Sequence, residues 1–199
     1  ERNFLPRVLR LKDYYVGNHD ILGKAQRSNN APNNRIVANY CEYIANMSTG
    51  FFMGQPVAYS SVSGDTEAVK ALQDVFRYND EAEGNLQLAG ESSVTGAAYE
   101  VLYLDADAEI RFCSIPAEQM ILVTDSTLEE NLVAAIRCYR VLGLDGSSYR
   151  DYVDVYDAQT VTSYDYDAGK ITRRGEPRPH YFDGVPVIEY PNNEARRGD

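Results

Sequence analysis

Leu132-Val-Ala-Ala-Ile136-Arg-Cys138-Tyr-Arg140-Val-Leu142 runs into Gly143-Leu144-Asp145-Gly146, and Tyr149-Arg-Asp-Tyr152-Val-Asp154-Val-Tyr156 follows it. β-branched and aromatic residues fill both runs, and the link between them is turn chemistry, so the pair predicts two antiparallel strands. The same grammar continues C-terminally. Gln159–Tyr166 and Lys170–Arg174 are joined through Asp157-Ala158 and Asp167-Ala168-Gly169, and a last strand, Val185–Glu189, precedes Pro191-Asn192-Asn193. On the N-terminal side, Met120–Val123 is a short apolar run. Tyr99–Leu104 and Glu109–Ile115 flank Asp105-Ala106-Asp107-Ala108 as a hairpin. Together these runs predict an antiparallel meander.

Before Tyr99 the hydrophobic period is that of a helix. Ile36, Val37, Tyr40, Ile44, Met47 and Phe51 recur mostly three and four apart behind Asn33-Asn34. That spacing predicts a helix capped there, with its apolar stripe on a core, ending between Gly50 and Gly54 ahead of Pro56. Val57–Val62 reads as a short strand. Ala68, Val69, Leu72, Val75 and Phe76 predict a second helix, opened at Gly64-Asp65-Thr66 and stopped at Tyr78-Asn79-Asp80. A third covers Glu81 to Gly96, where Ala89, Gly90, Ser93, Gly96 and Ala97 permit close backbone approach. Gly84 and Gly90 each cost it about 1 kcal/mol relative to Ala. Helices first and an antiparallel sheet after them make an α+β fold. The expected organisation is an N-terminal arm over 1–32, with some helix near its start and a polar Ser28-Asn29-Asn30 cluster. A helical part over 33–98 and a sheet part over 99–190 follow.

The chain has 199 residues and a net charge of −11, enough for one large domain or two small ones. Three cysteines, an odd number, oppose a disulfide framework. Cys41, Cys113 and Cys138 lie in apolar periodic runs and are expected as reduced core thiols in an intracellular setting. No apolar run approaches the length of a bilayer span, and no secretory leader pattern opens the sequence. Glu1 at the start, with no initiator Met, reads as a piece of a longer product. Residues 1–40 carry seven Lys/Arg against three Asp/Glu, whereas 61–130 carry three against 15. So acidic a body repels nucleic acid. It serves solubility, or it lines a wall past which DNA moves without sticking.

Catalytic signatures are weak. Asp105, Asp107 and Glu109 alternate, as do Asp165 and Asp167, while Asp151, Asp154 and Asp157 recur every third residue. Paired acids admit an alternative reading, a carboxylate- or metal-dependent hydrolase using acids such as Asp105 and Asp154. Two stretches begin like calcium loops. The run from Asp165 has Lys170 where the loop needs glycine, and the run from Asp105 has Ile110 there. Hairpin turns explain both better. His19 and His180, the only histidines, sit in no metal-binding or deaminase pattern, and Gly143-x-x-Gly146 lacks the Lys-Ser/Thr of a phosphate loop. No catalytic residue, metal ligand or cofactor is therefore assigned. A third reading is a DNA-mimicking acidic inhibitor. Sixteen tyrosines and no tryptophan, several of them on strands beside Asp, suit either a half-buried sheet face or a protein contact.

Two segments carry a recognisable signature. One is Leu11-Lys-Asp-Tyr-Tyr15-Val-Gly17-Asn-His19-Asp-Ile-Leu22 with Asn33-Asn34-Arg35-Ile36-Val-Ala-Asn39-Tyr40 and Phe51-Phe52-Met53-Gly54-Gln-Pro56-Val57. The other is Val185-Pro186-Val187-Ile188-Glu189-Tyr190-Pro191-Asn192-Asn193-Glu194. In this order they resemble the portal proteins of tailed bacteriophages, of the siphovirus type infecting Gram-positive hosts. The resemblance implies the wing of a ring subunit, with 191–199 as the start of a C-terminal region carrying stem, clip and crown. It also implies a non-enzymatic ring, usually a dodecamer, at one capsid vertex. DNA passes through that ring during packaging and ejection, and the terminase and the capsid, scaffold and head-completion proteins are its partners. Its place is then the virion and, during assembly, the host cytoplasm, with no membrane involved. On this reading the basic start, Arg7, Arg10 and Lys12, contacts a neighbouring subunit or the scaffold.

Overall fold

The structure, a computed structural model, describes residues 4–25 and 32–192. The expected Ser28-Asn29-Asn30 cluster and the end of the second signature segment, Asn193-Glu194, lie outside the described residues. Four helices come first, α1 (Phe4–Tyr15), α2 (Tyr40–Met53), α3 (Thr66–Tyr78) and α4 (Glu81–Thr95). Nine strands follow, β1 (Ala97–Leu104), β2 (Ile110–Ile115), β3 (Met120–Thr124), β4 (Leu132–Leu142), β5 (Tyr149–Tyr156), β6 (Thr160–Asp167), β7 (Lys170–Arg173), β8 (Arg178–Pro179) and β9 (Val187–Pro191). The fold is α+β, with helices preceding antiparallel strands. The strands form two sheets, not one. β1 sits between β2 and β9, while β3 through β7 follow in chain order as a meander, with β8 beside β7 on the same edge of β6. The chain divides into two compact units. The first holds Glu1–Gln73, Asp80–Ala98 and Tyr190–Asp199, the second Asp74–Asn79 and Tyr99–Glu189.

In the first unit α1, α2 and α4 pack together. Val8 of α1, Ala45 of α2 and Leu88 of α4 are buried, and Val8 is only 1% exposed. Gly90 of α4 approaches Thr49 of α2: a Cβ placed at Gly90 would meet the Thr49 side chain at 4.0 Å, ordinary van der Waals contact. Of the small residues expected to permit close approach, Gly90 is the one that faces α2 in this way. α1 ends at Gly17, whose φ of +84° is the left-handed conformation that glycine accepts without strain. There the Asn18 side chain donates to Asp13 at 3.1 Å. α4 ends the same way at Gly96, with φ of 87° and its N–H bonded to the Ser92 carbonyl.

Two sequence expectations fail here. α2 starts at Tyr40, not behind Asn33-Asn34. The Asn39 amide donates to the Tyr15 carbonyl and to the Glu42 carboxylate, both at 2.8 Å, and its oxygen accepts from the Glu42 N–H. This long-range tie to the end of α1 fixes the cap at Asn39, so Ile36 and Val37 stay outside the helix. Val57–Val62 forms no strand. Tyr59 in this segment donates to Glu81 at 2.5 Å.

The second unit is built on the sheets. Tyr99, Val101, Ile115, Ala117, Met120, Ala135, Tyr156 and Val187 are buried in it. A shift in register between Val123 and Thr124 breaks the β3–β4 ladder at its end. Ala168 and Gly169 both have positive φ (47° and 86°), the geometry of a tight two-residue hairpin between β6 and β7. Of the acids before this turn, expected as turn residues, Asp165 and Asp167 lie on β6 itself, opposite Thr172 and Lys170. Asn79, at the end of α3, works as a surrogate strand. Its amide nitrogen donates to the carbonyls of Val75 and Ile110, each at 2.9 Å, and its oxygen accepts from the Phe112 N–H at 3.2 Å. Tyr78 beside it donates to Asp105 at 3.1 Å under the Arg111 guanidinium, and Phe76 meets Phe112 edge to face.

Candidate functional site

α2 has one charged residue, Glu42, in 14. Packing of Ala45 toward the other helices leaves most of its apolar surface uncovered. Tyr40, Tyr43, Ile44, Met47, Phe51 and Phe52 are all exposed, Phe51 at 96%. The stripe expected to face a core therefore faces outward among the described residues. Periodicity identified the apolar face correctly, but the side chains used for internal packing are the small ones, Ala45 and Thr49, which let α4 come close. Apolar surface of this extent marks an interface.

Beside that face runs a groove of about 670 Å³, lined by Leu11, Tyr14, Ile44, Ala45 and Val94 and bordered by Arg7 and Arg10. Arg10 donates to Asp20 at 2.9 Å, and Tyr14 donates to the same oxygen at 2.8 Å. The Tyr14 hydrogen bond, then the Arg10 charge, holds the Asp20 carboxyl below its ordinary range. Arg7 has no ion-pair partner among the described residues. Lys12 is different. Its ammonium lies 2.7 Å from Glu91 of α4, and both side chains are mostly buried, so it holds α1 to α4 inside the unit. Of the three basic residues singled out in the sequence, Arg7 and Arg10 border the groove and Lys12 is committed internally. Cys41 is exposed and also lines the groove.

None of the three cysteines is a core thiol; Cys41, Cys113 and Cys138 are all exposed and unbridged. Cys138 is nonetheless packed closely enough on the sheet for burial to push its thiol pKa up.

In the second unit Asp105 and Asp154 both line a cleft of about 610 Å³ with Arg137, Tyr156, Arg178 and His180. Each acid already has a structural partner. Asp105 accepts from the N–H groups of Asp107 and Glu109 at 3.0 Å, and these bonds hold its carboxyl below the usual range. Asp154 is buried and accepts from the Ser163 hydroxyl at 2.6 Å. Burial, with Asp154 next to it, pushes Tyr156 up to about 12. On the same sheet face Arg137 lies over Tyr139 at 4.3 Å, Tyr139 meets Tyr152 at a tilt with centroids 5.5 Å apart, and Arg174 lies over Tyr152 at 4.7 Å. His180 is buried. Its Nδ1 accepts from the Phe182 N–H at 3.1 Å, which leaves Nε2 to donate to the Asp157 carbonyl at 3.0 Å. His19 stacks on Tyr14 and bonds its carbonyl. Among the described residues no group of three or more His, Cys, Asp or Glu could hold a metal ion, and no helix is long and apolar enough to cross a membrane.

One feature escaped the sequence reading. Between β3 and β4, Asp125 accepts from Thr127 N–H and hydroxyl at 3.2 and 2.6 Å and from Asn131 N–H and side chain at 3.0 and 3.1 Å. This brace projects Leu128 fully into solvent, with Glu129 and Glu130 following it. The signal was present: a leucine set among Asp, Ser, Thr and Glu, where a loop is ordinarily polar.

The family described as "Phage portal protein, SPP1 Gp6-like" matches residues 1–199. The portal protein of Bacillus phage SPP1 is 26% identical over 197 residues, covering 91% of this chain and 38% of that protein. The portal protein of Clostridium phage phiCD119 is 23% identical over 216 residues, covering 96% of this chain and 47% of that protein. The chain thus spans less than half the length of either relative. With the family match running from the first residue to the last, the chain belongs to the SPP1-type phage portal protein family.

Proposed function

We propose that this chain is part of a structural subunit of a phage portal, a homo-oligomeric ring at one vertex of the capsid. DNA enters and leaves through the ring, which docks the terminase and the capsid, scaffold and head-completion proteins. The observation that carries this reading is the family match along all 199 residues. The uncovered apolar face of α2 supports it, because a monomer has little reason to keep such a surface in water. Asp105 and Asp154, the acids that offered a hydrolase, are engaged in a turn and in the Asp154–Ser163 bond, which supports an architectural role. We place it in the virion, and in the host cytoplasm during assembly. Within the subunit, 1–32 is an arm, 33–98 a helical part, 99–190 a sheet part of the wing, and 191–199 leads toward stem, clip and crown. Arg7 and Arg10 are the basic residues available for a neighbouring subunit or the scaffold.

Negative-stain electron microscopy of the complete protein tests this reading. Closed rings with a central hole wide enough for duplex DNA are expected. Compact monomers or dimers at all salt and protein concentrations would overturn it.

A further inference from the structure

We infer that the groove between α1 and α2 receives the β3–β4 loop of a second copy of the chain, with Leu128 inserted and Glu129 and Glu130 against Arg7 and Arg10. This rests on the ring reading and specifies which surfaces meet. A ring of more than two identical subunits needs a heterologous contact, two different patches on one chain that fit each other. The groove and the loop are such patches. One is concave and apolar, floored by Leu11, Ile44, Ala45 and Val94, with two guanidinium groups at its border. The other is convex, with an apolar tip and two carboxylates beside it.

Charge selects the pairing. Arg7 has no ion-pair partner among the described residues, and Arg10 makes an exposed pair with Asp20 while lying over the Tyr14 ring. Complementary charges around an apolar contact guide encounter and fix register, while the apolar core supplies the affinity. The loop is also built beforehand. Four hydrogen bonds to Asp125 hold it, and Glu130 keeps a φ of 49°. A loop already ordered loses little conformational freedom on docking. Leu144, in the β4–β5 turn, is exposed as well, but its turn carries a single acid, Asp145. The β3–β4 loop matches the two-arginine border better.

Cys41, exposed and lining the groove, supplies a direct test. In the complete protein, with every other cysteine replaced by serine, Leu128→Cys is introduced and the assembly is treated with a short bismaleimide. The expected result is a ladder of covalent dimers and larger species on a denaturing gel, lost when Cys41→Ser is added. Separately, Arg7→Glu and Glu129→Arg should each weaken assembly about tenfold, and their combination should recover most of the loss. Rings that form normally but give no ladder, with no recovery in the combined variant, overturn the contact and leave the ring reading standing. Cross-linking confined to a faster-migrating monomer gives the groove to the chain's own loop and also overturns it. A ladder without closed rings upholds the contact and sinks the ring.

Discussion

Asn79→Ala should destabilise the second unit by about 2 kcal/mol. The residue makes two hydrogen bonds to β2, donating to the Ile110 carbonyl and accepting from the Phe112 N–H, besides one to Val75 within its own helix. A net hydrogen bond contributes about 1 kcal/mol, and the two to β2 have no substitute once the amide is gone. The unit has roughly a hundred residues, for which each kcal/mol moves Tm by about 4–8 °C. A drop of about 8–16 °C is therefore expected by calorimetry. Asn79→Asp sharpens the test, because a carboxylate accepts from Phe112 N–H but cannot donate to Ile110, and it faces that carbonyl with like charge. Asp should thus be no better than Ala, despite its matching size. Hydrogen exchange gives the local readout, with Phe112 N–H losing protection ahead of the amides of β4 and β5. A Tm within 2 °C of the parent, with Phe112 N–H equally protected, would refute the surrogate-strand reasoning.

Four further outcomes are expected. Gly84→Ala in α4 should stabilise the first unit by about 0.5–1 kcal/mol in urea unfolding, since a Cβ there meets nothing within 4 Å and alanine favours the helix. Lys12→Glu should lower the urea midpoint of that unit, because it opposes Glu91 at the site of a mostly buried ion pair, whereas Arg7→Glu should leave the midpoint unchanged. Stability should fall steeply in acid. The carboxyls of Asp105, Asp125, Asp151 and Asp157 are held below the usual range and Asp145 at about 2, chiefly by hydrogen bonds. A depressed folded-state pKa stabilises above the unfolded value near 4, and that contribution is lost as pH drops from about 4 toward 2. Thermal melts across that window check it. Millimolar calcium should leave Tm unchanged, because Asp105 is engaged in its own turn and Asp165 and Asp167 lie on the β6–β7 hairpin; a rise would reopen the metal-dependent alternative.

The elements that could be read from the sequence are those whose causes are local. Leu132–Leu142 and Tyr149–Tyr156 form as strands over the expected residues because turn chemistry and β-branched runs lie in the same short stretch. The start of α2 could not be read, since Asn39 is chosen as the cap by the Tyr15 carbonyl, a partner 24 residues away. Val57–Val62 has the composition of a strand but forms none, which no local pattern reveals. The same limit applies to the site. Arg7 and Arg10 stood out by charge, but the commitment of Lys12 to Glu91 depends on how α1 meets α4. The stripe of α2 shows the general case, because period and hydrophobicity define an apolar face without saying what covers it.

The margins of the two sheets differ from one another in how they end. Asn79 occupies the outer margin of β2 with side-chain groups, a register shift breaks β3 off at Thr124, and β6 is flanked by two short pieces, β7 and β8, in place of one long strand. Strands left long and flat invite backbone pairing with other molecules and grow without limit. Each of these margins is interrupted. On the proposed ring reading, copies of this chain are thereby steered away from open-ended ribbon growth and toward contacts made by side chains, which have a fixed angle. A fixed angle is what a closed assembly needs if it is to stop at a set number of members.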